Sequence, residues 1–211
     1  MPPLKKRMFL SSEGTHSIWL LIMQMSLTEW RQKKETREMD NTSLYVNAID
    51  KKFGVCIFYS EERHFRFVPC VLNRFGVYVP IAEGIEIPPT TDAEQIGKGY
   101  IAAAVNSLNH YGEDLDVRKA PALYKSFKNF TSQKKFDLSH CKVVGIAKNG
   151  EIKFTYTVWH DGEFCLKKED PIIAKICFLN SSAAEIGNAI LTVLEEARIV
   201  FPENKILNNN K

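Results

Sequence analysis

The chain has 211 residues, of which 45% are hydrophobic and 25% charged, with 28 basic against 25 acidic side chains. This is the balance of a soluble globular protein of one large or two small domains, long enough to bury a real core. The net charge of +3 sits in residues 1–38, which hold seven Lys/Arg and four Glu; the remainder carries 21 bases and 21 acids, so bulk charge argues little for nucleic acid.

Residues 1–38 read differently from the rest. Lys5-Lys6-Arg7 ahead of Ile18-Trp19-Leu20-Leu21-Ile22-Met23 has the outline of a secretory signal, but Glu13 and His16 interrupt it and no small-x-small cleavage site follows. The apolar run is also far short of the ~20 residues that cross a bilayer. The expectation is a poorly ordered extension over 1–38, with Met8, Met23, Met25 and Met39 as alternative starts, followed by a single α+β domain over 39–211.

Strand signals begin at Leu44. Phe53–Tyr59 and Phe65–Val68 are rich in β-branched and aromatic residues, followed by Phe75–Val79 and Ile85–Ile87. Pro69 and Pro80 lack the N–H a ladder needs, which predicts that those strands end there or lie at an edge. A helix over Thr91–His110 puts Ile96, Tyr100, Ile101, Ala104 and Leu108 on one face. The second half opens with a short amphipathic segment, Ala122–Thr131. Asn149-Gly150 and Asp161-Gly162, dipeptides suited to tight hairpins, flank Glu151–Trp159, where apolar Ile152, Phe154, Tyr156 and Val158 alternate with polar residues. Ile172–Leu179 supplies another strand, and a helix closes the chain over Ser182–Val200.

The two long helices open alike. Thr91-Asp92-Ala93-Glu94-Gln95-Ile96-Gly97 and Ser182-Ala183-Ala184-Glu185-Ile186-Gly187 each place a hydroxyl three residues before a glutamate, the pattern of a capping box. Each then carries a glycine that weakens a helix by ~1 kcal/mol relative to alanine. Repeated twice, that cost predicts helices pressed closely onto a sheet. The fold class is α+β: antiparallel sheet with helices packed against it, in two pseudo-repeated β-then-α halves.

No reactive constellation accompanies this architecture. His16, His64, His110, His140 and His160 lack metal-ligand spacing, and His140-Cys141, as strand neighbours, point to opposite sides. Gly97-Lys98-Gly99 follows a helix cap instead of preceding one, so it is no phosphate cradle. Cys56, Cys70, Cys141, Cys165 and Cys177 show no C-x-x-C spacing, which fits a reduced cytosolic protein. Charge is nevertheless sorted. Ile81–Asp116 holds seven acids and one base, and Val117–Lys148 holds eight bases and one acid, a pattern that folding either cancels or turns into faces of opposite potential. Tyr124-Lys125-Ser126-Phe127-Lys128-Asn129-Phe130 interleaves aromatics with lysines, as nucleic-acid binders do, but helical spacing puts Leu123, Tyr124, Phe127 and Phe130 on one core-type face.

That Tyr124–Phe130 segment, the meander after it and the closing Ser181-Ser182-Ala183-Ala184-Glu185-Ile186-Gly187-Asn188-Ala189-Ile190-Leu191 helix resemble the immunity proteins of bacterial contact-dependent growth inhibition systems, over residues 44–200. The resemblance implies a cytoplasmic, non-enzymatic binder that needs no cofactor or metal and neutralises the toxic C-terminal domain of a cognate inhibitor protein. It implies neither a membrane nor a direct nucleic-acid partner. If that toxin is a nuclease with a basic cleft, acids that imitate phosphates would meet it, and Glu83, Glu86, Glu113, Asp114 and Asp116 are the expected contacts. An acidic toxin surface would instead select Lys125, Lys128, Lys134 and Lys135. Two rival readings remain: a nucleic-acid or other interaction module using the basic 117–148 segment, and an enzyme built on His64, His110 or His160.

Overall fold

Neighbouring residues of a strand face opposite sides, and almost every residue of β1 (Phe53–Ser60) and β2 (Phe65–Leu72) is buried, so the sheet must be covered on both faces there. The computed structural model describes residues 48–204 apart from 49, 61, 63, 82–83, 121–130, 161–162 and 203. The described residues all fall within the unit Asn41–Lys211. The 1–38 extension, the strand signal at Leu44, the Tyr124–Phe130 segment and the Asp161-Gly162 turn lie outside them.

After β2 come β3 (Tyr78–Pro80), β4 (Ile85–Ile87), α1 (Ala93–Asn109), a 3-10 turn at Val117–Lys119, and α2 (Gln133–Leu138). Then follow β5 (His140–Lys148), β6 (Glu151–His160), β7 (Glu163–Cys165), β8 (Ala174–Phe178) and α3 (Ala183–Val200). The eight strands form one antiparallel sheet in the order β3-β2-β1-β5-β6-β7, with β4 beside β3 on β2 and β8 beside β7 on β6. Each half is thus a hairpin, two short strands on its outer edge, and a helix. The halves join where β1 pairs β5, from Phe53 opposite Ala147 to Ser60 opposite His140.

Two sequence expectations need correction. Pro69 neither ends β2 nor lies on an open edge. It sits between the stretch that pairs β4 (residues 65–67) and the stretch that pairs β3 (70–72). Its carbonyl accepts from Ile81 N at 2.8 Å on that side, so the missing N–H falls in the gap between the short strands. Phe75-Gly76 do not begin a strand. They form the tip of a turn in which Gly76 takes φ +76° and Asn73 Oδ1 accepts from both Phe75 N and Val77 N at 3.0 Å. The Asn149-Gly150 hairpin forms as its residues predict, with φ of 54° and 81° and Lys148 opposite Glu151.

The main core lies between the sheet and the pair α1/α3, and includes Phe53, Val55, Ile57, Phe65, Phe67, Ile96, Tyr100, Phe154, Ile186 and Ile190. A smaller cluster of Cys56, Phe58, Val68, Cys70 and Phe136 covers the opposite face, where α2 docks. Ser107 of α1 reaches into the sheet: its Oγ donates to Gly54 O at 2.9 Å and accepts from Cys70 N at 3.1 Å. That satisfies two buried strand groups from a helix.

The repeated glycine has a different reason from the expected one. A Cβ on Gly97 would lie 1.7 Å from the Ala183 carbonyl oxygen, and one on Gly187 would lie 1.8 Å from that of Ala93. Each glycine therefore accommodates the first turn of the other helix, not the sheet. Among the described helical glycines it is Gly99 that faces a strand, where a Cβ would meet the Phe67 ring at 2.6 Å. The caps differ too. Ser182 and Glu185 form the full reciprocal box, whereas α1 is capped by Asp92, whose carboxylate accepts from Glu94 N at 2.9 Å, and not by Thr91.

Candidate functional site

The acids expected to form one face fall into two places. Arg66 and Glu86 are cross-strand partners on β2 and β4, whereas Asp114 stands beside Arg74, past the far end of β2. Six strand steps separate Arg66 from Leu72, on the order of 20 Å, and Arg74 lies beyond in the turn. Glu83 lies outside the described residues.

At the first place, Glu86 Oε1 accepts from Arg66 Nη2 and lies 3.0 Å from His64 Nδ1. The Arg66 guanidinium is buried, and Nη1 lies 2.8 Å from His140 Nε2. An arginine cannot accept, so His140 Nε2 must, which puts the imidazole proton on Nδ1. There it faces the Phe136 carbonyl at 2.6 Å and Ser139 Oγ at 2.8 Å. Burial pushes the His140 pKa down to about 4, so the ring stays neutral. Burial also lowers the Arg66 pKa, with Glu86 opposing the shift. Glu86 therefore anchors a buried polar chain instead of waiting free for a partner. The sequence reading set His140 aside from catalysis but missed Arg66 and the contact between them. The available signal was Arg66 itself, a lone charge between aromatics in an apolar strand.

At the second place, Glu113 Oε1 lies 2.9 Å from His110 Nδ1. Asp114 Oδ2 accepts from Arg74 Nε at 3.1 Å. Asp116 caps the 3-10 turn through Arg118 N at 3.0 Å and takes Arg118 Nε at 3.2 Å. Those bonds from Arg118 hold the Asp116 carboxyl below its usual range. Asn73 ties this connector to the β2–β3 turn by donating to Leu115 O at 3.3 Å. The result is an open cleft of about 370 Å³ lined by Asn73, Arg74, Phe75, Asp114, Leu115, Asp116, Val117 and Arg118. Phe75 is 74% exposed on its rim with the Arg74 guanidinium 4.8 Å from the ring centre. Structure thus joins Asp114 and Asp116 to a pair of arginines and an aromatic, with Glu113 paired to His110 beside them, a mixed surface where an acidic patch was expected.

The basic segment also divides. Arg118 belongs to this cleft, whereas Lys142 lies 5.8 Å from the Phe58 and Phe164 rings on the α2 side of the sheet. Lys134 and Lys135 are exposed on α2, and Lys125 and Lys128 lie outside the described residues.

Chemical groups elsewhere are engaged in holding the fold. His160 Nε2 lies 2.7 Å from Asp170 Oδ2, which also accepts from Lys167 N at 2.7 Å and so fastens the loop before β8. Cys56 and Cys70, both buried, approach to 3.5 Å between sulfurs. Among the described residues no group of three His, Cys, Asp or Glu is placed to hold a metal, and no helix is long and apolar enough to cross a membrane.

No protein-family model matches the chain. No curated protein matches it in sequence. Its fold is similar to solved structures. One is a protein of unknown function from Neisseria meningitidis, 16% identical with a TM-score of 0.51, the match covering 70% of this chain and 96% of that one. Another is a chain of the CdiA-CT/CdiI toxin and immunity complex from Yersinia pseudotuberculosis, 13% identical with a TM-score of 0.51, covering 69% and 97%.

Proposed function

We propose that this chain is an immunity protein that binds the toxic C-terminal domain of a cognate contact-dependent growth inhibition protein and neutralises it in the cytoplasm, without catalysis. The observation that carries the reading is the fold shared with a chain of a toxin and immunity complex over nearly all of that chain. The sequence resemblance over residues 44–200 points the same way. The toxin is read as a nuclease whose basic cleft is occluded.

The described acids best placed for that contact are Glu113, Asp114 and Asp116. They line or adjoin an open cleft whose rim carries exposed Phe75, an aromatic of the kind that anchors interfaces. Each acid already faces a partner of its own chain, so binding requires Arg74, Arg118 and His110 to yield to toxin groups. Those are surface pairs worth ~1 kcal/mol or less, a small barrier. Glu86 is tied to buried Arg66 and is the weaker candidate.

The test is co-expression with the terminal domain of a cognate inhibitor protein, sought in the neighbouring reading frames, scoring cell survival and co-purification. Protection that persists with Glu113→Gln, Asp114→Asn and Asp116→Asn combined would discard the acidic contact but keep the function. Absence of any protection would discard the function. The rival reading, a nucleic-acid module, draws on exposed Lys134 and Lys135 on α2 and on Lys142 and Lys148 of β5. It requires RNA or DNA binding that weakens steeply between two salt concentrations.

A further inference from the structure

Two free cysteines face each other across the β1–β2 hairpin. Cys56 stands opposite Val68 and Cys70 opposite Gly54, so the two are diagonal neighbours, and both belong to the cluster where α2 docks. Their sulfurs are 3.5 Å apart. Diagonal positions in an antiparallel pair hold Cα atoms about 7–8 Å apart, whereas a disulfide requires about 6.8 Å or less. The two side chains therefore lean together from a base too wide for a direct sulfur–sulfur bond. That spacing suits two thiolates with an atom held between them.

The surroundings select a soft, singly charged ion. Phe58 and Phe136 make the site apolar, and Cys56 is 8% exposed where Cys70 is 1% exposed, so small species arrive at Cys56 first. Zinc takes four ligands and hard cations take oxygen, but copper(I) prefers soft sulfur and is satisfied by two thiolates. Among the described residues no group of three His, Cys, Asp or Glu could hold a metal, which leaves a two-ligand site. The Cys70 S–H donates to Cys56 and draws that thiol down to about 6 against the effect of burial, with Lys142 adding to the pull. The same contact pushes the Cys70 thiol up, so the second proton leaves when a metal replaces it.

We propose that Cys56 and Cys70 bind a copper(I) ion between their sulfurs, with Lys142 as the counter-charge. Starting from the two thiols, both S–H protons leave to solvent as the ion enters, and no electron is transferred. Two thiolates and one copper(I) carry a single negative charge. The Lys142 ammonium answers it from β5, the strand on the other side of β1, where it lies 5.8 Å from the Phe58 ring. Metal–thiolate bonds of about 2.2 Å in a near-linear arrangement put the sulfurs about 4.4 Å apart. Reaching that from 3.5 Å takes an opening of about 0.9 Å, which small turns of the two side chains supply without moving either strand. The bound ion ties β1 to β2 through side chains.

The reduced full chain, titrated without oxygen against copper(I) held by the coloured chelator bicinchoninate, should withdraw one equivalent of the metal. X-ray absorption of that complex should show two sulfur neighbours at about 2.2 Å, a readout that needs no variant. Cys56→Ser and Cys70→Ser should each weaken retention roughly a hundredfold or more, with urea midpoints confirming that both are folded. Cys165→Ser, at the least buried of the cysteines, should leave retention unchanged. A chain that withdraws no copper would overturn the proposal. So would retention that survives both serine changes, or a shell of three or more sulfurs in the wild-type complex.

Discussion

Replacing Gly97 by alanine sets two effects of known sign against each other. Alanine favours the helix by ~1 kcal/mol. Its Cβ, however, would stand 1.7 Å from the Ala183 oxygen and 2.5 Å from the carbonyl carbon, both backbone atoms that no rotamer change can move. Restoring an ordinary contact requires α1 and α3 to part by roughly 1.5 Å where they cross. Overpacking of this kind costs about 1–3 kcal/mol and more when backbone is involved, so a net loss of about 2–3 kcal/mol is expected. In urea unfolding the midpoint should fall by about 1 M or more. Gly187→Ala meets the mirror-image clash, at 1.8 Å from the Ala93 oxygen, and should behave the same way. Because one separation relieves both clashes, the double variant should lose roughly 1–2 kcal/mol less than the sum of the single losses. A rise in midpoint for Gly97→Ala, or strict additivity in the double variant, would refute the reciprocal-contact argument.

Other consequences can be measured on the same material. Burial holds the His140 pKa near 4 in the fold against an ordinary value near 6.5. The stability tied to its neutrality is complete above pH 6.5 and drains as pH falls toward 4, by roughly 3 kcal/mol. Urea midpoints from pH 7 to 4.5 should therefore decline less steeply for His140→Gln than for the parent, and equal slopes would remove His140 from the account. At the helix starts, Asp92→Ala and Ser182→Ala should each lose about 1 kcal/mol while Thr91→Ala loses almost nothing; a Thr91→Ala effect equal to that of Asp92→Ala would reinstate the hydroxyl as the cap. Asn149→Val forces a β-branched residue to φ 54° and should destabilise by roughly 1–2 kcal/mol, whereas Asn149→Gly should be nearly neutral by thermal melting.

Local signals carried most of the fold. Alternation over Glu151–Trp159, the Asn149-Gly150 turn and the apolar face of the Thr91–His110 helix all describe what one strand or helix does by itself, and each appears in the structure. The errors arose where a residue answers to something distant in sequence. Pro69 looked like a terminator because nothing local says that two short strands leave a gap opposite it. Gly97 was assigned to the sheet because its true neighbour, Ala183, lies in the other half of the chain. The candidate site suffered most. A run of acids is visible in sequence, but the Arg74 that faces Asp114 comes from forty positions away, on the turn that Asn73 ties to the connector. Charge counting along a segment cannot see that neutralisation. Likewise the His140–Arg66 contact spans 74 positions and has no local mark.

The seam between β1 and β5 and the crossing of α1 with α3 both unite one half of the chain with the other. Gly97 and Gly187 are ninety positions apart. Loop closure on that scale precedes any reward from the contacts, so folding is slow for the size of the domain. During synthesis the first half emerges with the β1 flank bare and α1 lacking its companion, a species prone to aggregation until the last helix has left the ribosome. Cutting the chain between the halves should therefore yield two fragments that are each insoluble alone and recover a native fold only when produced together.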